Sequence, residues 1–140
     1  MNQKLQLNFI YYGLGSLGGF LAVLGFWFAS AVIDDWNFGA YNLSIESFYV
    51  PMVWGGLFAL LYNMPFRTDW WVKGSFFSLF PAFAHLILMS DGIKAQAYSA
   101  ITGASFSSID LGKLLSEQES WMWIGCYFIF WGLLTSKIIR

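Results

Sequence analysis

The sequence predicts an all-α, polytopic membrane protein, a single domain of residues 1–140 in which four helices cross the bilayer as a bundle. Three observations predict this class. The chain is 58% hydrophobic and only 11% charged, whereas soluble domains carry about 25% charged residues. Four long apolar segments alternate with polar ones, and most of the cations sort to one side of them. A water-soluble fold of this length is excluded, because it cannot hide so much apolar surface.

Each apolar segment predicts one crossing, for which about 20 residues are needed. The first helix is predicted over residues 9–33, which carry no charge. The second, over 48–66, and the third, over 70–89, are joined by a short charged turn and form a helical hairpin. The fourth is predicted over 121–139. Its uncharged part is short for a crossing, so we expect the stem of Lys137 to extend along the apolar surface to the interface.

Two outer connections are predicted, over residues 34–47 and 90–120. The longer one is polar and serine-rich, and a short helix is expected within it near residues 108–116. One interpretation of this connection is a solvated loop. The other is a lid or re-entrant segment over the bundle, because long loops without secondary structure are uncommon unless they are functional.

The distribution of cations predicts that both chain ends lie in the cytoplasm, since cytoplasmic loops of membrane proteins are enriched in Lys and Arg. With the N-terminus inside, the cytoplasmic side holds five of the seven cations: Lys4, Arg67, Lys73, Lys137 and Arg140. The outer side holds only Lys94 and Lys113. Aromatic residues that flank the segments, among them Tyr11, Trp70 and Trp121, fall where interfacial belts are expected.

Small residues recur at helical spacing and predict faces for close helix packing, because dispersion contacts between backbones hold helices together in lipid. Gly15 and Gly19 form a G-x-x-x-G pair in the first helix. The predicted packing positions are Gly15, Gly18, Gly19, Ala22 and Gly25 in the first helix, Gly55 and Ala59 in the second, and Gly125 and Gly132 in the fourth. These faces serve either packing within the chain or association between copies, and the sequence leaves both open.

A candidate polar site is predicted around His85, the only histidine, which falls inside the third segment. Ionisable residues at membrane depth are a functional hypothesis by default. Ser78 and Pro81 share a helix face with His85, and Asn63 adds a polar group from the second helix. The alternative interpretation is a neutral histidine near the outer interface, hydrogen-bonded to a backbone carbonyl or to a neighbouring helix.

Motifs of catalytic and nucleotide-binding sites are absent from the sequence. There is no phosphate-binding glycine loop, no H-E-x-x-H and no G-x-S-x-G. Cys126 is the only cysteine, which excludes an internal disulfide and a cysteine-based metal site within one chain. The net charge of −1 leaves no basic face for nucleic acid. We therefore expect no catalytic residues, no cofactor, no metal and no nucleic-acid partner.

Two stretches carry a resemblance to known proteins: V-W-G-G-L-F from Val53, and K-G-S-F-F-S-L-F-P from Lys73. They resemble a loose group of small uncharacterised four-helix proteins of the bacterial inner membrane. Members of this group share a W-G-G-L entry to one helix and a basic-G-x-x-x-S-x-x-P pattern in the next. The resemblance implies a multi-pass location in the bacterial inner membrane and implies no activity. After Met89 the chain departs from the group, since a polar stretch replaces a glycine-rich apolar one.

The leading functional expectation is a non-enzymatic membrane protein that acts through helix packing. It would be a homo-oligomer or an accessory subunit of a larger membrane complex, with membrane lipids and other membrane subunits as its partners. The alternative is a small transporter or channel whose polar path runs around His85, Ser78 and Asn63, because transport normally needs such a path.

Overall fold

The fold is entirely helical in the residues described by the computed structural model, which are 2–39, 41–89 and 118–139. The helices are α1 (Gln3–Ile33), α2 (Ile45–Ala59, extended by a 3-10 turn over Leu60–Asn63), α3 (Trp70–Met89) and α4 (Gln118–Ile139). The short helix expected near residues 108–116, and both interpretations of the 90–120 connection, lie outside the described residues.

The predicted helices exist, and α3 has the predicted bounds, but the others begin earlier than the apolar segments do. α1 begins at Gln3 rather than residue 9, because the Asn2 side chain caps it by accepting a hydrogen bond from the Lys4 amide. α2 begins at Ile45 behind a capping box between Ser44 and Ser47. Apolarity predicts the part of a helix that lies in lipid, whereas caps determine where the helix itself begins.

α2 ends earlier than the predicted residue 66. Its last turn tightens into the 3-10 turn, and Met64 leaves the helical region with ψ 137°. Pro65 explains this end, because a proline disfavours the α conformation in the residue before it. The charged turn that follows leads directly into α3 at Trp70.

α4 contains an irregularity that the sequence did not predict. The helix is α over Gln118–Cys126, π over Tyr127–Leu133 and α again over Leu134–Ile139. A π segment widens the helix locally and turns its side chains relative to a regular helix. In α4 the π segment carries Tyr127, Trp131 and Gly132, all of which are buried.

Three of the described helices are long and apolar enough to cross a membrane: α1, α2 with its 3-10 turn, and α4. α1 packs most extensively against α2, α3 packs mainly against α4, and α1 also contacts α4. Large aromatic side chains fill the space between them, with Phe26, Tyr127 and Trp131 at most 2% exposed. The described part of the chain is therefore a helical bundle with an aromatic core, and three of its helices could cross a membrane.

Candidate functional site

His85 lies in the aromatic core between α3 and α4. Its side chain is 1% exposed, and its Nδ1 atom lies 3.0 Å from the Tyr127 hydroxyl oxygen. The imidazole also lies against Trp123, with ring centroids 4.1 Å apart and the rings tilted by 36°. Trp123 stacks in turn on Phe26 of α1 at 4.0 Å. We call Tyr127, His85, Trp123 and Phe26 the histidine cluster, since in this order each contacts the next.

The histidine cluster favours a neutral imidazole. A charged side chain surrounded by aromatic rings at membrane depth is costly unless a counter-ion accompanies it. Among the described residues no carboxylate pairs with His85, and its hydrogen-bond partner is a phenol. Tyr127 makes no second hydrogen bond within this part of the chain, so the described contacts form a closed pair rather than a proton relay.

The four residues of the predicted polar site do not come together. Ser78, Pro81 and His85 lie on one buried face of α3, directed at α4, as their spacing predicts. Asn63 is exposed, and its side-chain amide donates to the Asn8 side chain at 2.9 Å. The Ser78 hydroxyl donates to the Ser75 carbonyl of its own helix at 2.7 Å. Among the described residues, no hydrogen bond joins Asn63 to Ser78 or His85.

The small residues of α1 are used for packing within the chain. A Cβ atom added to Gly15 would overlap the Gly55 carbonyl and Ala59 of α2, and one added to Gly19 would overlap the Pro51 carbonyl. The α1 and α2 backbones therefore touch, which only glycine permits at these positions. Ala22 is fully buried in the same core.

Three further predicted positions lie at contacts of α4 with another helix. The fourth, Gly125, has no such contact among the described residues. Gly18 faces Trp131 and Thr135 of α4, and Gly25 faces Phe130. Gly132 approaches α3 so closely that an added Cβ would lie 2.5 Å from the Gly74 carbonyl oxygen. In the described part of the chain, nothing lies within 4 Å of the would-be Cβ of Gly125. Gly125 is thus a predicted packing position that the described helices do not use.

Hydrogen bonds between helices reinforce this packing, and sequence reasoning missed them. The Trp131 indole donates to the Gly55 carbonyl at 3.0 Å, the Tyr62 hydroxyl donates to the Gly132 carbonyl at 3.2 Å, and the Ser16 hydroxyl donates to the Met52 carbonyl at 2.9 Å. Within the described residues, the Thr135 hydroxyl is the buried side-chain group without a partner. The sequence feature that could have indicated the Trp131 bond is the pair Gly18 and Gly55, because these glycines leave room for a large ring between helices.

A cleft at the α2–α3 turn was also missed, and we call it the turn cleft. It has a volume of about 420 Å³, and its lining comes from α1, the turn, the start of α3 and the end of α4: Tyr11, Tyr62, Phe66, Thr68, Asp69, Trp70, Lys73, Ser136 and Ile139. The Lys73 ammonium donates to the Tyr62 carbonyl at 3.3 Å and lies 5.5 Å from the centre of the Tyr62 ring. In the sequence, Lys73 indicated only the orientation of the chain and the resemblance to small inner-membrane proteins, not a binding site.

Comparison with known proteins gives no family for this chain. No family model matches it, and neither a curated protein nor a solved structure does. The resemblance to small inner-membrane proteins therefore stays a prediction. Within the described residues, no group of three or more His, Cys, Asp or Glu side chains is placed to hold a metal ion.

Proposed function

We propose that this chain is a four-crossing protein of the bacterial inner membrane, with both ends in the cytoplasm, that serves as a non-catalytic structural component. It acts as a homo-oligomer or as an accessory subunit of a larger membrane complex. The observation that carries this proposal is the close backbone packing between the described helices. A carrier needs a polar passage between its helices. Here α1 instead packs directly against α2 at Gly15 and Gly55, and α3 packs directly against α4 at Gly74 and Gly132.

The polar side chains support the same interpretation. Trp131, Tyr62 and Ser16 each donate to a backbone carbonyl of another helix, so they hold the helices in register. A substrate path requires polar groups that remain available to a passing solute. A structural component requires that such groups be satisfied inside the protein.

The outer surface is where a partner would bind. The exposed side of α3 carries Trp71, Phe76, Leu79 and Phe80, and the exposed side of α4 carries Phe128, Ile129 and Ile138. Lipid tails or the helices of another subunit both suit such a surface. Gly125 lies on α4 with no neighbour at its would-be Cβ among the described residues, and it offers a point at which a second helix could approach closely.

Native mass spectrometry of the full chain, extracted in a mild detergent, tests this proposal. We expect either a defined homo-oligomer or a stoichiometric complex with another membrane protein. Gly125→Leu should weaken the assembly without unfolding the chain, whereas Val53→Leu, at another exposed site, serves as the matched control. A stable monomer that copurifies with nothing, and that carries a solute flux in vesicles, would overturn the proposal.

The orientation is tested separately by labelling single cysteines in intact cells. The background variant is Cys126→Ala, because Cys126 is the only native thiol and is buried. We expect Asn42→Cys and Ser105→Cys to react with a membrane-impermeant maleimide from outside, and Thr68→Cys to react only after permeabilisation. Reversed labelling would refute the proposed orientation, and labelling of Asn42 and Thr68 from the same side would refute a crossing by α2.

A further inference from the structure

The turn cleft combines a cation with a set of hydrogen-bond donors that have no partner among the described residues. Lys73 has three N–H donors, and one of them is used for the Tyr62 carbonyl. Its ammonium forms no ion pair with any side chain in the described ranges. The hydroxyls of Tyr11 and Thr68 and the indole of Trp70 also make no hydrogen bond there. A site rich in donors and containing a cation suits an anionic oxygen group.

The surroundings of Lys73 strengthen its attraction for an anion. The ammonium lies against two aromatic rings, 5.5 Å from the centre of Tyr62 and 5.9 Å from that of Phe77. Low-dielectric walls on one side reduce the screening of a charge compared with open water. Lysine acts as a point charge toward phosphate, so it tolerates several orientations of the ligand. A phosphate group, which lysine commonly binds in this way, therefore fits the chemistry of the cleft.

Asp69 limits which phosphate compound fits. It is an exposed carboxylate that lines the same cleft, and like charges placed close together repel each other. A ligand whose phosphate is balanced by a nearby ammonium therefore fits better than one with a net negative charge. The cleft offers a cation for the phosphate and an anion for the amine, within a volume of about 420 Å³.

We propose that the turn cleft binds the head group of a phospholipid that carries a phosphate and a primary amine, with Lys73 on the phosphate and Asp69 on the amine. This inference uses the membrane location in the proposed function, and it does not depend on oligomerisation or on a partner subunit. The cleft is lined by Trp70 and Tyr11. Tyrosine and tryptophan side chains are enriched at the depth of the lipid head groups, so this is where a head group would meet the protein.

The experiment titrates the full chain in detergent micelles with lipids of identical acyl chains and counts bound lipid by native mass spectrometry. The probes are phosphatidylethanolamine, phosphatidylglycerol and a galactosyl diacylglycerol that lacks phosphate. We expect phosphatidylethanolamine to bind about tenfold more tightly than the galactolipid, as a charge-assisted contact implies. Phosphatidylglycerol should fall between them in the native chain and should gain affinity in Asp69→Asn.

Lys73→Gln should remove the preference for phosphate, and Lys73→Arg should retain most of it. The matched control is Lys137→Gln, which removes an exposed cation at the same end of the bundle, outside the cleft, and should leave the preference unchanged. Because Lys73 also contacts the Tyr62 carbonyl, the ratio between two lipids is compared, and a general loss of stability does not alter that ratio.

Three results would overturn the inference. The first is equal binding of phosphatidylethanolamine and the galactolipid by the native chain. The second is an unchanged preference in Lys73→Gln, or an equal loss in Lys137→Gln, which would indicate diffuse attraction to charge. The third is displacement of the lipid by millimolar inorganic phosphate, which would assign the cleft to a soluble phosphate compound. A monomer that still discriminates between these lipids would refute the assembly proposed above and leave this inference standing.

Discussion

The turn after α1 places two residues other than glycine in the left-handed region. Asp35 has φ 50° and Trp36 has φ 64°, and the Asn37 amide donates to the Asp34 carbonyl at 2.9 Å. Positive φ at both central positions is the pattern of a type I′ turn, which prefers Asn or Gly there. The Trp36 ring lies edge-on to that of Phe28, with ring centroids 6.1 Å apart.

Asp35→Gly should therefore stabilise the chain. Relief of the left-handed conformation is worth about 1–2 kcal/mol, and the added freedom of glycine in the unfolded chain offsets part of it, leaving about 0.5–1 kcal/mol. The measurement is thermal unfolding of the purified protein in detergent. Asp35→Ala is the matched control, because it removes the same carboxylate and keeps the strain. A gain in Asp35→Ala equal to that in Asp35→Gly would show that charge, not conformation, is responsible.

Glycines at helix contacts differ in what they allow, and this difference gives a second prediction. Gly15→Ala should destabilise the chain by about 1–3 kcal/mol, because the new methyl group overlaps the Gly55 carbonyl and forces α1 away from α2. Gly125→Ala should be neutral or slightly stabilising, since no described residue lies within 4 Å of its would-be Cβ and alanine favours the helix.

Unfolding curves of these two variants in the same detergent provide the comparison. An unfolding temperature of Gly15→Ala equal to that of the native protein would contradict the backbone contact between α1 and α2. Gly125→Ala is the control for the effect of adding a methyl group to a helix. Residue spacing alone predicted both glycines as packing positions. It could not tell them apart, because the side of a helix that meets a neighbour depends on where the neighbour lies.

The π segment of α4 is the element that could not be predicted from the sequence. It brings Trp131, a fully buried side chain, to the point where α1, α2 and α4 meet: its indole donates to Gly55 of α2, and Gly18 of α1 lies against its ring. Apolar runs predicted the existence of the helices and the bounds of α3. Helix-internal irregularity leaves no comparable mark, because the same apolar residues suit an α-helix and a π-helix in lipid.

Trp131→Phe tests the role of this element. A smaller aromatic ring remains and the indole N–H is lost, so the contact between α4 and α2 loses its hydrogen bond and part of its packing. We expect destabilisation of about 0.6–2 kcal/mol, a range that combines measured bonds between membrane helices with losses in soluble cores. Trp71→Phe is the control, because Trp71 is 54% exposed on α3. Equal unfolding temperatures for Trp131→Phe and Trp71→Phe would contradict the assigned bond.

Across the whole bundle, hydrogen-bonded side chains lie at both ends of α3. The histidine cluster joins α3 to α4 and α1, and Lys73 near the other end of α3 contacts the carbonyl of Tyr62 in the 3-10 turn. The sequence predicted that His85 shares a face of α3 with Ser78 and Pro81, and it left open whether His85 is functional or a neutral, hydrogen-bonded histidine. It could not predict Tyr127 or Trp123 as neighbours, because those contacts depend on the register of α4 after residues 90–117.

A double-mutant cycle on His85 and Tyr127 separates a structural role from transport. If their hydrogen bond serves packing, His85→Gln and Tyr127→Phe should each destabilise the chain, and together they should cost less than the sum, with a coupling of about 0.5–1.5 kcal/mol. Any effect of the two variants on the growth of the host cells should follow the amount of folded protein in the membrane. If either variant folds to native levels and abolishes a flux into reconstituted vesicles, the histidine cluster belongs to a transport path, and the close packing between the helices must open during function.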